Sequence, residues 1–151
     1  YPYSFVKIKF EIETNPPKFA NYEYKTKSVP FPYQVRLFDQ ASLFAGKLHA
    51  LLARKWNNRV KGRDFYDFVF YINHNIKFNL KYLEDALKKS ATIDKNAKLT
   101  LDGVKQMLYE HFKHTNFDLA KRDIELFIDD ISILDNWNAQ YFIKLTEQLE
   151  C

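Results

Sequence analysis

The hydrophobic period of this chain changes at Asp39, and that change limits the folds open to it. Before Asp39 the apolar residues alternate with polar ones. Val6, Ile8, Phe10 and Ile12 fall on one side of residues 4–13, and Lys7, Lys9, Glu11 and Glu13 on the other. That period of two predicts a half-buried strand. Asn15-Pro16-Pro17 ends it, since consecutive prolines cannot extend a ladder. Residues 20–28 alternate more weakly and read as a second strand. Pro30 and Pro32 interrupt the pairing, and Tyr33 to Phe38 reads as a third strand, with Val35 and Leu37 on one face.

After Asp39 the spacing becomes helical. Asp39 is a good N-cap for a helix reaching about Trp56, with Leu43, Phe44, Leu48, Leu51 and Leu52 as its buried stripe. A second helix is expected over about 63–72, carrying Phe65, Phe68, Val69 and Ile72. Asn79 and Thr100 cap a third and a fourth. Further helices are expected near 117–128 and 138–149. Strands followed by helices give an α+β fold: a small N-terminal sheet, residues 1–38, leading into a helical half of five to six helices, residues 39–151. No linker composition interrupts the 151 residues, so they read as a single domain or a fragment of one.

Composition narrows the function classes. Apolar residues make up 46% of the chain and aromatic ones 17%, too many for a disordered protein. Its one cysteine, Cys151, excludes an internal disulfide framework and a Cys-based zinc site, which suits a reducing cytoplasm. No apolar run is long enough to span a membrane. The net charge of +4 is mild, but six Lys and Arg against two Asp lie between Lys47 and Asp67. A polyanionic ligand fits that excess.

Within that stretch, Lys47 and Arg54 are seven residues apart and share a helix face. A basic turn of Arg59, Lys61, Gly62 and Arg63 follows, and then Asp64 and Asp67 open the next helix. Cations that hold phosphates are thus followed by carboxylates that hold a metal or accept a proton. Each feature also has an ordinary explanation. Glu11 on a strand face is often only solvated. Lys47 and Arg54 suit the edge of an apolar stripe. Asp64 and Asp67 suit the positive end of a helix dipole. Arg54 serves either a phosphate or one of the two aspartates. Gly46 costs helix stability, which suggests a close approach by another backbone or a ligand. The four histidines, His49, His74, His111 and His114, make no metal pattern and read as surface residues. No P-loop, dinucleotide fingerprint or nucleophile elbow occurs.

The run QASLFAGKLHALLARKWNNRVKGRDFYDF, with VKIKFEIETNPP upstream, resembles the AbiEii toxin family of nucleotidyltransferase-like proteins. The similarity extends through NLKYLEDAL, FDLAKRDIELFIDD and WNAQYFIKL. It implies a polymerase-β-type nucleotidyltransferase that uses Mg²⁺ to transfer a nucleotide or phosphoryl group from an NTP to an acceptor such as tRNA. It also implies a bacterial, cytoplasmic toxin of abortive infection with a cognate antitoxin. Under the resemblance Glu11 is a metal carboxylate and Lys47 contacts the nucleotide phosphates, with Arg54 and Arg63 lining the same hollow. Asp64 is a base or positioning group, with Asp67 beside it. The family's first motif, a Gly-Ser turn followed by paired aspartates, is absent from these residues. The resemblance therefore places it upstream of Tyr1 and makes this chain a C-terminal part, inactive alone. If the site is one site, Glu11, Lys47 and Asp64 must converge. The competing expectation is a non-catalytic helical module that binds a protein or RNA.

Overall fold

A computed structural model describes residues 7–54 and 60–151. The sheet has two antiparallel strands, β1 (Tyr22–Lys27) and β2 (Tyr33–Phe38), with Tyr22 opposite Phe38 and Lys27 opposite Tyr33. Six α-helices follow among the described residues: α1 (Gln40–Ala53), α2 (Gly62–Asn73), α3 (Leu80–Lys89), α4 (Leu101–Lys113), α5 (Phe117–Ile124) and α6 (Ala139–Glu147). The architecture is α+β, with the sheet first and the helices after it.

The expected strand over residues 4–13 is not formed where it is described. Residues 7–13 have no regular structure, and Ile8, Phe10 and Ile12 are 70%, 85% and 86% exposed. Alternation sets which face a strand would bury, but a ladder also needs a neighbour. Among the described residues β1 and β2 pair only with each other. Beyond the prolines the chain is anchored. The Lys18 N–H donates to Asp85 Oδ2 at 2.8 Å, and Asn79 Nδ2 donates to the Phe19 carbonyl at 2.8 Å. These bonds lay residues 18–19 against α3. The sheet joins the helices through Tyr22, Phe38 and Tyr82: the Tyr22 and Phe38 rings stack, and Phe38 meets Tyr82 at a tilt.

Helix starts follow the capping chemistry. The side chains of Asp39, Asn79, Thr100, Asn116 and Asn138 each accept an N–H from the residue three further on. Such a cap stabilises a helix by about 1 kcal/mol. The helix expected from about 117 to 128 is shorter. α5 stops at Ile124 and a 3₁₀ turn covers Glu125–Phe127, leaving Leu126 and Phe127 exposed.

Helices α1 and α2 pack together, α3 lies on α1, α5 on α2, and α6 on α4. Their shared core is aromatic. Phe44, Phe65, Phe68, Phe112 and Phe142 are fully buried, and Phe65 has ring neighbours Phe112, Phe117 and Phe142 within 5.9 Å. Of the expected α1 stripe, Phe44, Leu48 and Leu51 are buried, whereas Leu43 is 43% exposed.

Candidate functional site

The site is built where α1 and α2 lie side by side. Lys47 Nζ stands 2.7 Å from Asp67 Oδ2, and Arg54 donates from Nη1 to Asp64 Oδ2. The order is antiparallel: the earlier cation meets the later carboxylate. Lys47 and Arg54 are separated by about 10 Å along their helix, and Asp64 and Asp67 by about 4.5 Å along theirs. The long Lys and Arg side chains converge to close that difference. The four residues that the sequence grouped as one stretch are therefore one three-dimensional cluster.

The two ion pairs differ in solvation. The Lys47 and Asp67 side chains keep 41% and 30% of their accessible surface. In the other pair Arg54 keeps 36% but Asp64 only 3%. Asp64 is buried because Phe65, the next residue, enters the aromatic core and draws the first turn of α2 inward. Burial pushes the Asp64 carboxyl above the usual carboxylate range. Arg54, Lys47 and Arg63 oppose that shift, and Asp67 adds to it. A buried carboxylate held near cations but raised by its surroundings is a poised proton acceptor.

Of the two uses the sequence left open for Arg54, the structure takes the pairing with Asp64. Arg54 is also the C-cap of α1, where a cation is favoured by the helix dipole. The helix thus ends before Trp56. Trp56 itself and Arg59 of the basic turn lie outside the described residues. Arg63 is exposed on the first turn of α2 and lines a groove of about 610 Å³ with Lys61, Tyr66, Asp123 and Phe127. No backbone approaches Gly46 among the described residues. A Cβ there would meet only the Tyr82 ring, at 4.0 Å. Its presence is no argument for a ligand at Lys47.

Glu11 makes a different ion pair. Its carboxylate pairs with Lys9 at 2.5 Å, both side chains are 76% exposed, and no strand carries them. No contact among the described residues joins Glu11 to Lys47 or Asp64. A metal needs several free oxygen donors. Here Asp64 and Asp67 each hold a cation, and no group of three or more His, Cys, Asp or Glu among the described residues could hold a metal ion. As gathered here, the carboxylates do not fit a Mg²⁺ site.

The histidines divide. His74 is exposed and its Nδ1 lies 2.7 Å from the Phe70 carbonyl. His114 is exposed near Glu110. His111 is not a surface residue: burial brings its pKa down to about 4, so its ring is neutral at physiological pH. His49 is half-buried, with its pKa lowered by burial and by Arg54. Both lie on helix faces that turn toward the core, which four scattered histidines cannot reveal in a sequence.

Asp123 is a residue that the sequence does not single out, and Gly62 stands there only as part of the basic turn. The Gly62 N–H donates to Asp123 Oδ2 at 3.1 Å, and α5 leaves no space for a side chain at Gly62. The glycine itself was the available signal. A glycine opening a helix directly before an Arg-Asp pair suggests close approach, but nothing local names the partner 61 residues away.

A small sheet thus leads into a helical body in which cations are set against carboxylates across one helix pair. The model of the family described as "Nucleotidyl transferase AbiEii toxin, Type IV TA system" matches residues 1–142, and the chain belongs to that family. The family is one of nucleotidyltransferase toxins, and its type IV toxin–antitoxin setting implies an antitoxin partner. No curated protein and no solved structure matches the chain. Among the described residues no helix is long and apolar enough to cross a membrane.

Proposed function

We propose that this chain forms the part of an AbiEii-family nucleotidyltransferase that receives the triphosphate and the acceptor hydroxyl. The observation that carries this reading is the unequal pair of ion pairs. Parting an exposed pair such as Lys47–Asp67 costs at most about 1 kcal/mol. Lys47 can therefore exchange Asp67 for a phosphate. Asp64 is buried and stays with Arg54, which holds the carboxylate in place and favours its ionised form. In the proposed reaction the acceptor oxygen forms a bond to the α-phosphorus and diphosphate leaves in line. The hydroxyl proton passes to Asp64, whose raised pKa suits a base. Arg63 adds positive charge beside the same turn.

Mg²⁺ enters this proposal with the triphosphate, held by carboxylates beyond those gathered at α1 and α2. The family's Gly-Ser turn and paired aspartates are the proposed source, with Glu11 joining them. The proposed acceptor is a nucleic-acid hydroxyl, tRNA being the first to test. The proposed setting is a bacterial cytoplasm, where the protein acts as an abortive-infection toxin. A binding module for a protein or RNA is the second reading. The exposed Leu126, Phe127 and Ile131, beside the groove that Arg63 lines, favour it.

The test incubates the full-length protein with α-labelled NTPs, Mg²⁺ and a pool of RNA. Label should enter RNA, and K47A and D64N should each abolish the transfer. Residues 1–151 alone should transfer nothing. Labelling by that stretch alone would show that the catalytic residues are misassigned, and undiminished labelling by D64N would remove Asp64 from the catalytic role; no labelling by the full-length protein would favour the second reading.

A further inference from the structure

The amino end of α2 is held differently from those of the other helices. The residues before α1, α3, α4, α5 and α6 each supply a capping side chain, but Lys61, before α2, supplies none. The acceptor comes from α5 instead: Gly62 N–H donates to Asp123 Oδ2 at 3.1 Å. A carboxylate there also suits the positive end of the α2 dipole. The two helices touch backbone to side. A Cβ on Gly62 would stand 2.1 Å from the Ala120 carbonyl oxygen and 2.9 Å from Ile124 Cβ. The turn so held contains the candidate base, for the Asp64 N–H donates to the Lys61 carbonyl at 3.1 Å.

We propose that Asp123, acting through Gly62, is a positioning residue that fixes the first turn of α2 and so sets the Asp64 carboxylate in its buried place against Arg54. The consequence for turnover rests on the reading of Asp64 given above; the placement itself does not. Lys47 is on α1, outside this clamp, so the clamp governs the acceptor side of the site and leaves the phosphate side alone. Among the described residues the charges acting on Asp64 are Arg54, Lys47, Arg63 and Asp67, with Asp123 not among them. A change at Asp123 reaches Asp64 by moving its turn.

The experiment compares D123A and D123N in the full-length protein. It follows the Asp64 carboxyl by ¹³C NMR across pH and measures kcat and KM for the NTP. In D123A the loosened turn admits water, so the Asp64 midpoint should fall toward the ordinary carboxylate range. Turnover should fall about 10–100-fold, as misplacement of a reacting group by an ångström does. KM for the NTP should hold. D123N keeps an oxygen that accepts from Gly62 N–H and should restore both readouts. D123E keeps the charge but displaces that oxygen by one methylene and should behave like D123A; it also carries the test if D123A does not fold. An unchanged Asp64 titration in folded D123A or D123E overturns the proposal, as does a D123N variant as impaired as D123A. Normal turnover in D64N would instead overturn the catalytic reading of Asp64, and the titration would still decide the clamp.

Discussion

Replacing Arg54 by alanine should destabilise the protein at neutral and alkaline pH but hardly at all in acid. The structure supplies the reason. Asp64 keeps only 3% of its side-chain surface, so loss of its guanidinium partner strands a buried charge. Breaking a fully buried pair from one side costs about 3–5 kcal/mol. Arg54 is 36% exposed, however, and water entering its place will screen the carboxylate, so we expect about 2 kcal/mol at pH 8. For a chain of this size that corresponds to a fall in Tm of about 4–8 °C. The sign with pH follows from linkage. The Asp64 pKa is raised in the folded protein, so its contribution to stability is fully present below the unfolded pKa and is lost as pH rises through the folded value. Arg54 lowers that folded value; without it the value climbs further. Variant and wild type therefore converge in acid, where Asp64 is protonated in both, and diverge as pH rises. Urea unfolding at pH 4.5, 6 and 8 measures this, in R54A and again on a D64N background. Equal cost at pH 4.5 and 8 would refute the reasoning. So would the same cost with Asn at position 64.

Four further outcomes test other parts of the structure. Gly62→Ala should cost about 3 kcal/mol, the upper end for overpacking, because the obstructing atom is the Ala120 carbonyl. Gly46→Ala should stabilise by about 0.5–1 kcal/mol, since it lies inside a helix with open space beside it; paired thermal melts check both. Lys47→Ala should change stability by less than about 1 kcal/mol yet weaken NTP binding measured by calorimetry, and an unchanged affinity would remove Lys47 from the phosphate site. The His111 ring should show no NMR titration between pH 8 and 6 and a midpoint of about 4. Because that folded value lies below the unfolded one, His111 should lower stability as pH falls from about 6.5 through its folded pKa.

The parts of this fold that were legible in the sequence are those fixed by local chemistry. Asp39, Asn79 and Thr100 announce helix starts because each satisfies an N–H three residues away, and the structure uses each of them so. The strand over 33–38 was legible from its alternation and its flanking prolines, and it pairs with β1 as a hairpin neighbour close in sequence. Residues 7–13 alternate more cleanly than either strand, yet they form none. Alternation specifies a face; whether a ladder forms depends on a partner that the segment does not itself supply.

The candidate site divides along the same line. Lys47, Arg54, Asp64 and Asp67 lie within 21 residues, and two helices joined by a short connection fold back on one another, so their meeting was foreseeable from spacing. Which cation takes which carboxylate was not. That depends on Phe65, whose burial in the ring cluster pulls Asp64 inward and leaves Asp67 near the surface. A single core aromatic thereby makes two similar aspartates chemically different: one buried with its pKa raised, the other a more exposed partner of Lys47. The contribution of α5 lay furthest from view. Asp123 sits in the helix expected near 117–128, where nothing in the sequence ties it to Gly62 until α5 is packed on α2. The same packing makes Gly62 necessary, because the Ala120 carbonyl occupies the space of any side chain there. The start of α2 is thus capped by a residue 61 positions downstream, and a cluster that looks local in the sequence depends on the packing of α5 as well as on its own two helices.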